Sequence, residues 1–288
     1  MNVARLARAL GAPVAALRPV AGGDVNRAAH ARTADGRDVF VKHRPGAPPG
    51  TWTAEAEGLA WLRVEGGPRI PRVLAVDDAP DGFLALEWLP PSPPAPDHDD
   101  RLGRGLAALH AARAPAFGLD RDNWIGPLPQ SNSPLPDWPA FLGERRIAPL
   151  VRAARERGVL DAADAAAADR LIARLPCLCG PPEPPARLHG DLWSGNAHAA
   201  PDGGPVLVDP AVYGGHREMD LAMMRLFGGF APRVFAAYDE VLPPSPGREE
   251  RVPLCQLPPL LVHALLFGGG YTFRVRRTLG RLGGTRGG

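Results

Sequence analysis

Five prolines fall within seven residues at 90–96, Pro-Pro-Ser-Pro-Pro-Ala-Pro. Proline has no amide hydrogen to give to a ladder, so no sheet runs through this stretch. It divides two textures. Before it, 17–21, 27–33, 39–42, 73–76 and 83–89 read as strands, with turns at Gly22-Gly23-Asp24 and Asp35-Gly36. One helix, 51–64, interrupts them, with Thr51 or Thr53 available as its cap. After it, 101–112, 138–157, 162–175, 219–227 and 252–267 carry helical spacing, while 187–213 alternates short β segments with a polar cluster. The expected fold class is α+β in two lobes, a β-rich unit at 1–89 and a mainly helical unit at 90–288.

A chain of 288 residues suits one enzyme of two packed lobes. The 34 glycines and 35 prolines are scattered among strongly apolar segments, so they read as turns and loop stiffeners in a folded chain. A net charge of +2 gives no reason to expect a nucleic-acid partner. No apolar run reaches membrane-spanning length. Cys177, Cys179 and Cys255 form neither a zinc pattern nor a disulfide framework, which fits a reducing cytoplasm. The first 23 residues, with Arg5, Arg8, Arg18 and no acid before Asp24, read as a short amphipathic helix packed through Val3, Leu6 and Leu10; the other reading is a transit peptide.

The chemistry concentrates in His189-Gly190-Asp191-Leu192-Trp193-Ser194-Gly195-Asn196 and in Val206-Leu207-Val208-Asp209-Pro210. Transfer of a phosphoryl group needs a carboxylate to orient the acceptor hydroxyl and oxygen ligands to hold magnesium on the phosphates. Asp191 and Asn196 have the Asp-x4-Asn spacing of a kinase catalytic loop, and Asp209 closes an apolar strand where kinases place a second metal-binding Asp. Asp, Asn and Gly also cluster simply to make turns. The order of features weighs against that bland reading: the Gly22-Gly23 turn, Lys42 at a strand end, Glu55 one turn into the next helix, the hinge, the Asp-x4-Asn loop, then Asp209. Taken alone, Lys42 reads as a surface charge, Glu55 as a helix-dipole partner, and the glycine turn departs from G-x-G-x-x-G. Asp220 is placed to brace the loop, Trp193 to pack beneath it, and His263 to sit satisfied in an apolar helix.

These residues carry a resemblance. The 189–196 segment, Asp209-Pro210-Ala211, Gly215-His216-Arg217-Glu218, Asp220-Leu221-Ala222 and Phe267-Gly268-Gly269-Gly270-Tyr271 resemble the fructosamine kinase (ketosamine 3-kinase) family, and the agreement covers about 19–281. The resemblance implies a protein-kinase-like fold and an ATP- and Mg2+-dependent transfer to a sugar hydroxyl of a ketosamine, on a free small molecule or a glycated protein amine, in deglycation repair. It implies Asp191 as catalytic base and Asn196 and Asp209 as magnesium ligands. It also implies Lys42 on the ATP phosphates with Glu55 as partner, Gly22 and Gly23 beside those phosphates, and adenine against the backbone of Glu87, Trp88 and Leu89. His216 and Glu218 either touch the sugar or order their loop. A cytoplasmic monomer or weak homodimer is expected. Two departures stand out: Asp24 replaces a loop cysteine of many relatives, and Tyr213-Gly214-Gly215-His216 replaces Tyr-Tyr-Gly-His, removing an aromatic near the acceptor. The alternatives are a kinase of the same fold acting on an aminoglycoside, choline or another alcohol, and a non-catalytic nucleotide-binding protein.

Overall fold

The computed structural model describes residues 1–20 and 26–284. The Gly22-Gly23 turn and Asp24 lie outside the described residues. Helix α1 (Val3–Leu10) is followed by strands β1 (Val14–Val20), β2 (Arg27–Thr33) and β3 (Asp38–His43), helix α2 (Thr51–Trp61), and strands β4 (Val73–Asp77) and β5 (Phe83–Glu87). The strands form one antiparallel sheet in the order β1-β2-β3-β5-β4. Gly36 makes the β2–β3 turn at φ +87°, a left-handed conformation that costs glycine little. Helix α1 closes one face of the sheet with Leu6 and Leu10, which join Val39, Val41 and Phe83 in a small core, while Val3 stays exposed. Helix α2 is not capped from within. The Asp78 carboxylate, beyond β4, accepts the amides of Trp52 and Thr53 at 2.9 and 3.0 Å, while the Thr51 hydroxyl turns back to Pro48.

Past the proline run come α3 (His98–Ala111), the hairpin β6 (Asn123–Ile125)–β7 (Leu128–Gln130), α4 (Trp138–Phe141), a π-helical turn at Leu142–Ile147, α5 (Ala148–Glu156) and α6 (Ala162–Leu178). Then follow β8 (Ala186–Leu188), β9 (Ala197–Ala199), β10 (Pro205–Leu207) and β11 (Tyr213–Gly215) as two small antiparallel pairs, and α7 (Glu218–Phe227), α8 (Pro232–Val241), α9 (Arg248–Cys255), α10 (Leu257–Phe267) and α11 (Gly270–Leu282). The helix expected at 138–157 runs without a gap from Trp138 to Glu156, and the one expected at 252–267 is broken. The first passes through the π turn before Pro149. The second restarts after Gln256, where Pro258 and Pro259 lack amides that a continuing helix would use. Helix α10 is buried almost all round, as a central helix of the C-terminal lobe must be.

The two textures do not form two separate cores. Trp52, Leu59 and Leu62 of α2 and its end, with Leu84 and Leu86 of β5, pack in one cluster with Leu106, Leu192, Leu207 and Val212 from beyond the proline run. Gly58 makes this approach close, since a Cβ there would lie 3.3 Å from the Val212 side chain. Helix α2 is thereby seated directly on the segment that follows Asp209. Among the described residues no helix is long and apolar enough to cross a membrane.

Candidate active site

Strand β3 delivers Lys42 to the floor of the cleft between the lobes, where only 3% of it is exposed. Its ammonium bridges two carboxylates, 2.7 Å from Glu55 Oε1 on α2 and 2.8 Å from Asp209 Oδ1. Burial works against the charge, but Asp209 and Glu55 together outweigh it and raise the Lys42 pKa above the ordinary lysine value. Three sequence positions spread over 167 residues thus meet at one nitrogen. Asp209 takes φ +55°, the left-handed region rarely used by non-glycine residues. Such strain persists only where the surroundings hold it, and here the Lys42 contact and the seat under α2 do so.

The catalytic-loop segment is built around Asp220, near the start of α7. Its buried carboxylate accepts the amides of His189 and Gly190 at 2.7 and 3.0 Å and faces His110 Nε2 at 3.2 Å. Burial opposes its ionisation, yet these hydrogen bonds hold its pKa below the usual carboxylate value. His189 is kept neutral by burial. Its Nε2–H then donates to Val208 O at 2.9 Å and its Nδ1 accepts the Asp191 amide at 3.3 Å. Gly190 sits at φ +81° with no room for a Cβ, which would meet Ala211 O at 2.0 Å. The loop is braced from beneath, as its sequence position suggests.

Asp191 emerges from this brace into the cleft. Burial, and then the neighbouring charge of Asp209, push its carboxyl up to about 7. The Asn196 side-chain nitrogen donates to Asp191 O at 2.8 Å and to Asp191 Oδ2 at 3.1 Å. Both partners are acceptors, so the nitrogen must face them and the amide oxygen points elsewhere. Asp191, Asn196, Asp209, Lys42 and Glu55 line one cavity of about 480 Å³.

Other expected residues lie elsewhere. His216 and Glu218 do not line this cavity. Glu218 is buried in a two-armed pair with Arg251, at 2.8 and 2.6 Å, and His216 lies beside Trp138 with the rings tilted and their centroids 6.1 Å apart. They order the β11–α7 connection, and their polar groups are spent inside the protein. Replacing Glu218 with Ala therefore strands a buried guanidinium and should cost about 3–5 kcal/mol of stability, read as a fall in Tm, with the acceptor KM unchanged at permissive temperature. A raised acceptor KM at unchanged Tm would return Glu218 to the substrate.

At the hinge, the Glu87 carboxylate is drawn to Arg69 and Arg72, and its amide donates to Arg72 O at 2.8 Å. Trp88 packs on His30, ring centroids 4.4 Å apart, and the Leu89 carbonyl accepts from His198 Nε2 at 3.1 Å. None of the three lines the cavity, which meets the β-lobe at Ala28 and Phe40 instead.

Trp193 is not packed beneath the loop. It is 40% exposed and lines the cavity, its ring lying so close over Gly195 that a Cβ there would come within 2.2 Å of it. His263 is half-buried on the cavity wall rather than in the core. Trp124, on the β6–β7 hairpin, lines the cavity too and was not singled out in the sequence; three-residue strands leave little periodicity to read. A Cβ on Gly214 would lie 2.0 Å from Ala116 O, so this backbone leaves no room for a larger residue there.

The profile described as fructosamine kinase matches residues 2–283. The chain belongs to the fructosamine kinase family. A probable ketoamine kinase of Enterococcus faecium is 37% identical over 91% of this chain and 93% of its own length. A solved structure from Thermobifida fusca, assigned as a fructosamine-3-kinase, superposes with a TM-score of 0.88 at 44% identity, covering 98% of this chain and 97% of that one. An aminoglycoside phosphotransferase, 17% identical with a TM-score of 0.62 over 99% of this chain and all of its own, shares the fold. Family membership makes the protein a phosphotransferase acting on a sugar-like alcohol, and the kinase-like fold of the family implies ATP as the donor.

Proposed function

We propose that the protein transfers the γ-phosphoryl group of ATP to a sugar hydroxyl of a ketosamine, a step that destabilises the sugar–amine adduct and serves deglycation. The observation that carries this reading is the convergence of Lys42, Glu55, Asp209, Asn196 and Asp191 on one cavity. A decayed nucleotide-binding protein would have no reason to keep that set assembled.

Lys42 is fixed by Glu55 to meet ATP phosphate oxygens, and its raised pKa keeps it cationic. Asp191 accepts the hydrogen bond of the acceptor hydroxyl, aims its oxygen at the γ-phosphorus and takes the proton late in the transfer. The Asn196 amide, pinned by its nitrogen, holds Asp191 in that orientation. Positioning and electrostatics then account for most of the rate.

The donor set suits magnesium. Among the described residues no three His, Cys, Asp or Glu side chains form a ready-made cage. Mg2+ asks for less, one or two protein oxygens plus phosphates and water. Asp209 and the Asn196 amide oxygen would hold it, and it would supply charge neutralisation on the phosphates.

A ketosamine is favoured over a polycation by the fate of the acids. An aminoglycoside needs several carboxylates to receive its ammonium groups. In the C-terminal lobe Glu218 is held by Arg251, Asp239 by Arg248, Glu240 by Arg104 and Arg233, and Glu249 by Arg225, while Glu250 is exposed and does not line the cavity. Asp137 is spent capping α4. We expect turnover of simple fructosamines or ribulosamines, with kcat/KM for kanamycin-type compounds lower by at least about 10²-fold, roughly 2.7 kcal/mol of discrimination. A coupled ATP-turnover assay over both classes, with choline included, checks this. Equal efficiency on an aminoglycoside, or inactivity on every ketosamine, rejects the substrate assignment.

A further inference from the structure

The wall of the cleft made by the C-terminal helices is aromatic. Phe227 ends α7, His263 and Phe267 lie one turn apart on α10, and Tyr271 opens α11. Their rings form one cluster centred on His263, with centroids 4.5 Å away at Phe227, 5.5 Å at Phe267 and 5.1 Å at Tyr271. All four line the cavity that holds Asp191. Phe267 is 56% exposed, a large apolar surface that contributes little to the core. An exposed aromatic face beside a reaction centre is costly to leave in water and marks a binding surface.

The acids of the cavity sharpen the point. Among the described lining residues the only carboxylates are Glu55, Asp191 and Asp209. Glu55 and Asp209 are paired with Lys42, and Asp191 is assigned to the acceptor hydroxyl. A protonated amine carried on the acceptor therefore meets no uncommitted carboxylate there. What remains for it is the negative faces of the rings.

We propose that the Phe227–His263–Phe267–Tyr271 wall holds the protonated secondary amine of the acceptor together with its apolar substituent, so that the enzyme selects ketosamines by their amine arm as well as by their sugar. This rests on the kinase reading given above, since the amine arm is defined by a sugar whose hydroxyl faces Asp191. His263 is fit for the role because burial lowers its pKa and keeps it neutral. An imidazolium there would repel an ammonium. Its Nδ1–H is tied to Pro259 O at 2.8 Å, which fixes the ring in the cluster. A carboxylate- or phosphate-bearing amine gains nothing from such a wall, whereas an alkyl or benzyl amine gains both apolar contact and a cation–π contact. That predicts a preference for ketosamines whose protonated amine carries an alkyl or benzyl substituent with no further charged group.

The test uses Phe267→Leu, which keeps the apolar area and removes the ring, and whose exposed position leaves folding intact. Ligand-observed NMR titrations of benzylammonium and of its neutral isostere benzyl alcohol give the first readout. The expected result is preferential binding of the cation by the wild type, with that preference lost in Phe267→Leu. Steady-state kinetics give the second. KM for an N-benzyl fructosamine should rise roughly tenfold, with no comparable change in KM for ATP or for free fructose assayed as an acceptor without an amine. Equal binding of the two probes, or an equal KM change for fructose and the fructosamine, overturns the proposal even with ketosamine kinase activity intact. A cation preference that Phe267→Leu abolishes, in a protein that turns over no ketosamine, supports the amine site and rejects the kinase substrate reading instead.

Discussion

Asp191→Asn should lower kcat by on the order of 10²-fold or more while ATP binds about as before, because the amide can occupy the same space but cannot receive the hydroxyl proton. Single-turnover rates with the best ketosamine, set beside ATP affinity from calorimetry, are the measurement. Near wild-type turnover would remove Asp191 from the reaction. The same substitution has a second consequence for the metal-free protein. The Asp191 carboxyl is raised from 3.8 to about 7 by burial and by the charge of Asp209. A carboxyl whose folded pKa is raised contributes stability below its unfolded value, and that contribution is lost as pH climbs through the folded one. Wild-type stability should therefore decline between about pH 4 and pH 7 through this group, and Asn removes the decline. Near pH 8 in EDTA, Asp191→Asn should melt higher than wild type, by about 2–4 °C for each kcal/mol relieved, and near pH 4 the two should melt together. A lower Tm for the variant near pH 8 would mean that the carboxylate is stabilising, against this account. A site that catalyses by holding a poorly solvated carboxylate is built at the expense of stability.

Asp209→Ala should abolish measurable turnover, a loss of at least about 10³-fold, since it removes a proposed metal ligand and one of the two anions that fix Lys42. Binding should respond in a particular way. Affinity for ATP in the presence of magnesium should fall, and affinity for ATP in EDTA should fall less or even rise, because Lys42 is then freed from one carboxylate and offered to the phosphates. Calorimetry with and without metal separates the two. Unchanged affinity for the magnesium complex in the variant would take Asp209 out of metal binding. The expected asymmetry arises because Lys42 bridges Glu55 and Asp209, so a bound magnesium would share Asp209 with a lysine already paired to it.

The chain alone determined the change of texture at the proline run, the antiparallel strands before it, and five of the residues that meet in the cleft, Lys42, Glu55, Asp191, Asn196 and Asp209. Those features are local: a proline removes a ladder donor, an Asp-Gly pair makes a hairpin, and the Asp-x4-Asn spacing lies within one loop. What the sequence left open was decided by contacts far apart along the chain. Glu218 and His216 sit among family-like residues, and only the arrival of Arg251 from α9 shows that Glu218 is spent on a buried pair. Trp193 reads as packing beneath its loop and His263 as satisfied in an apolar helix, and the tertiary fold turns both toward the cavity. The cap of α2 comes from Asp78, 25 or 26 positions away, not from its own threonines. Helix α8 lies outside the helices expected from spacing; its buried Val234, Ala237 and Tyr238 pack against α3, and a ten-residue stretch takes most of its stability from such packing. The sequence supplied reactive groups and local geometry, because backbone and spacing set those. Which face a side chain presents, and which charges it meets, were settled only when the lobes closed on each other, since burial and pairing are properties of the assembled fold.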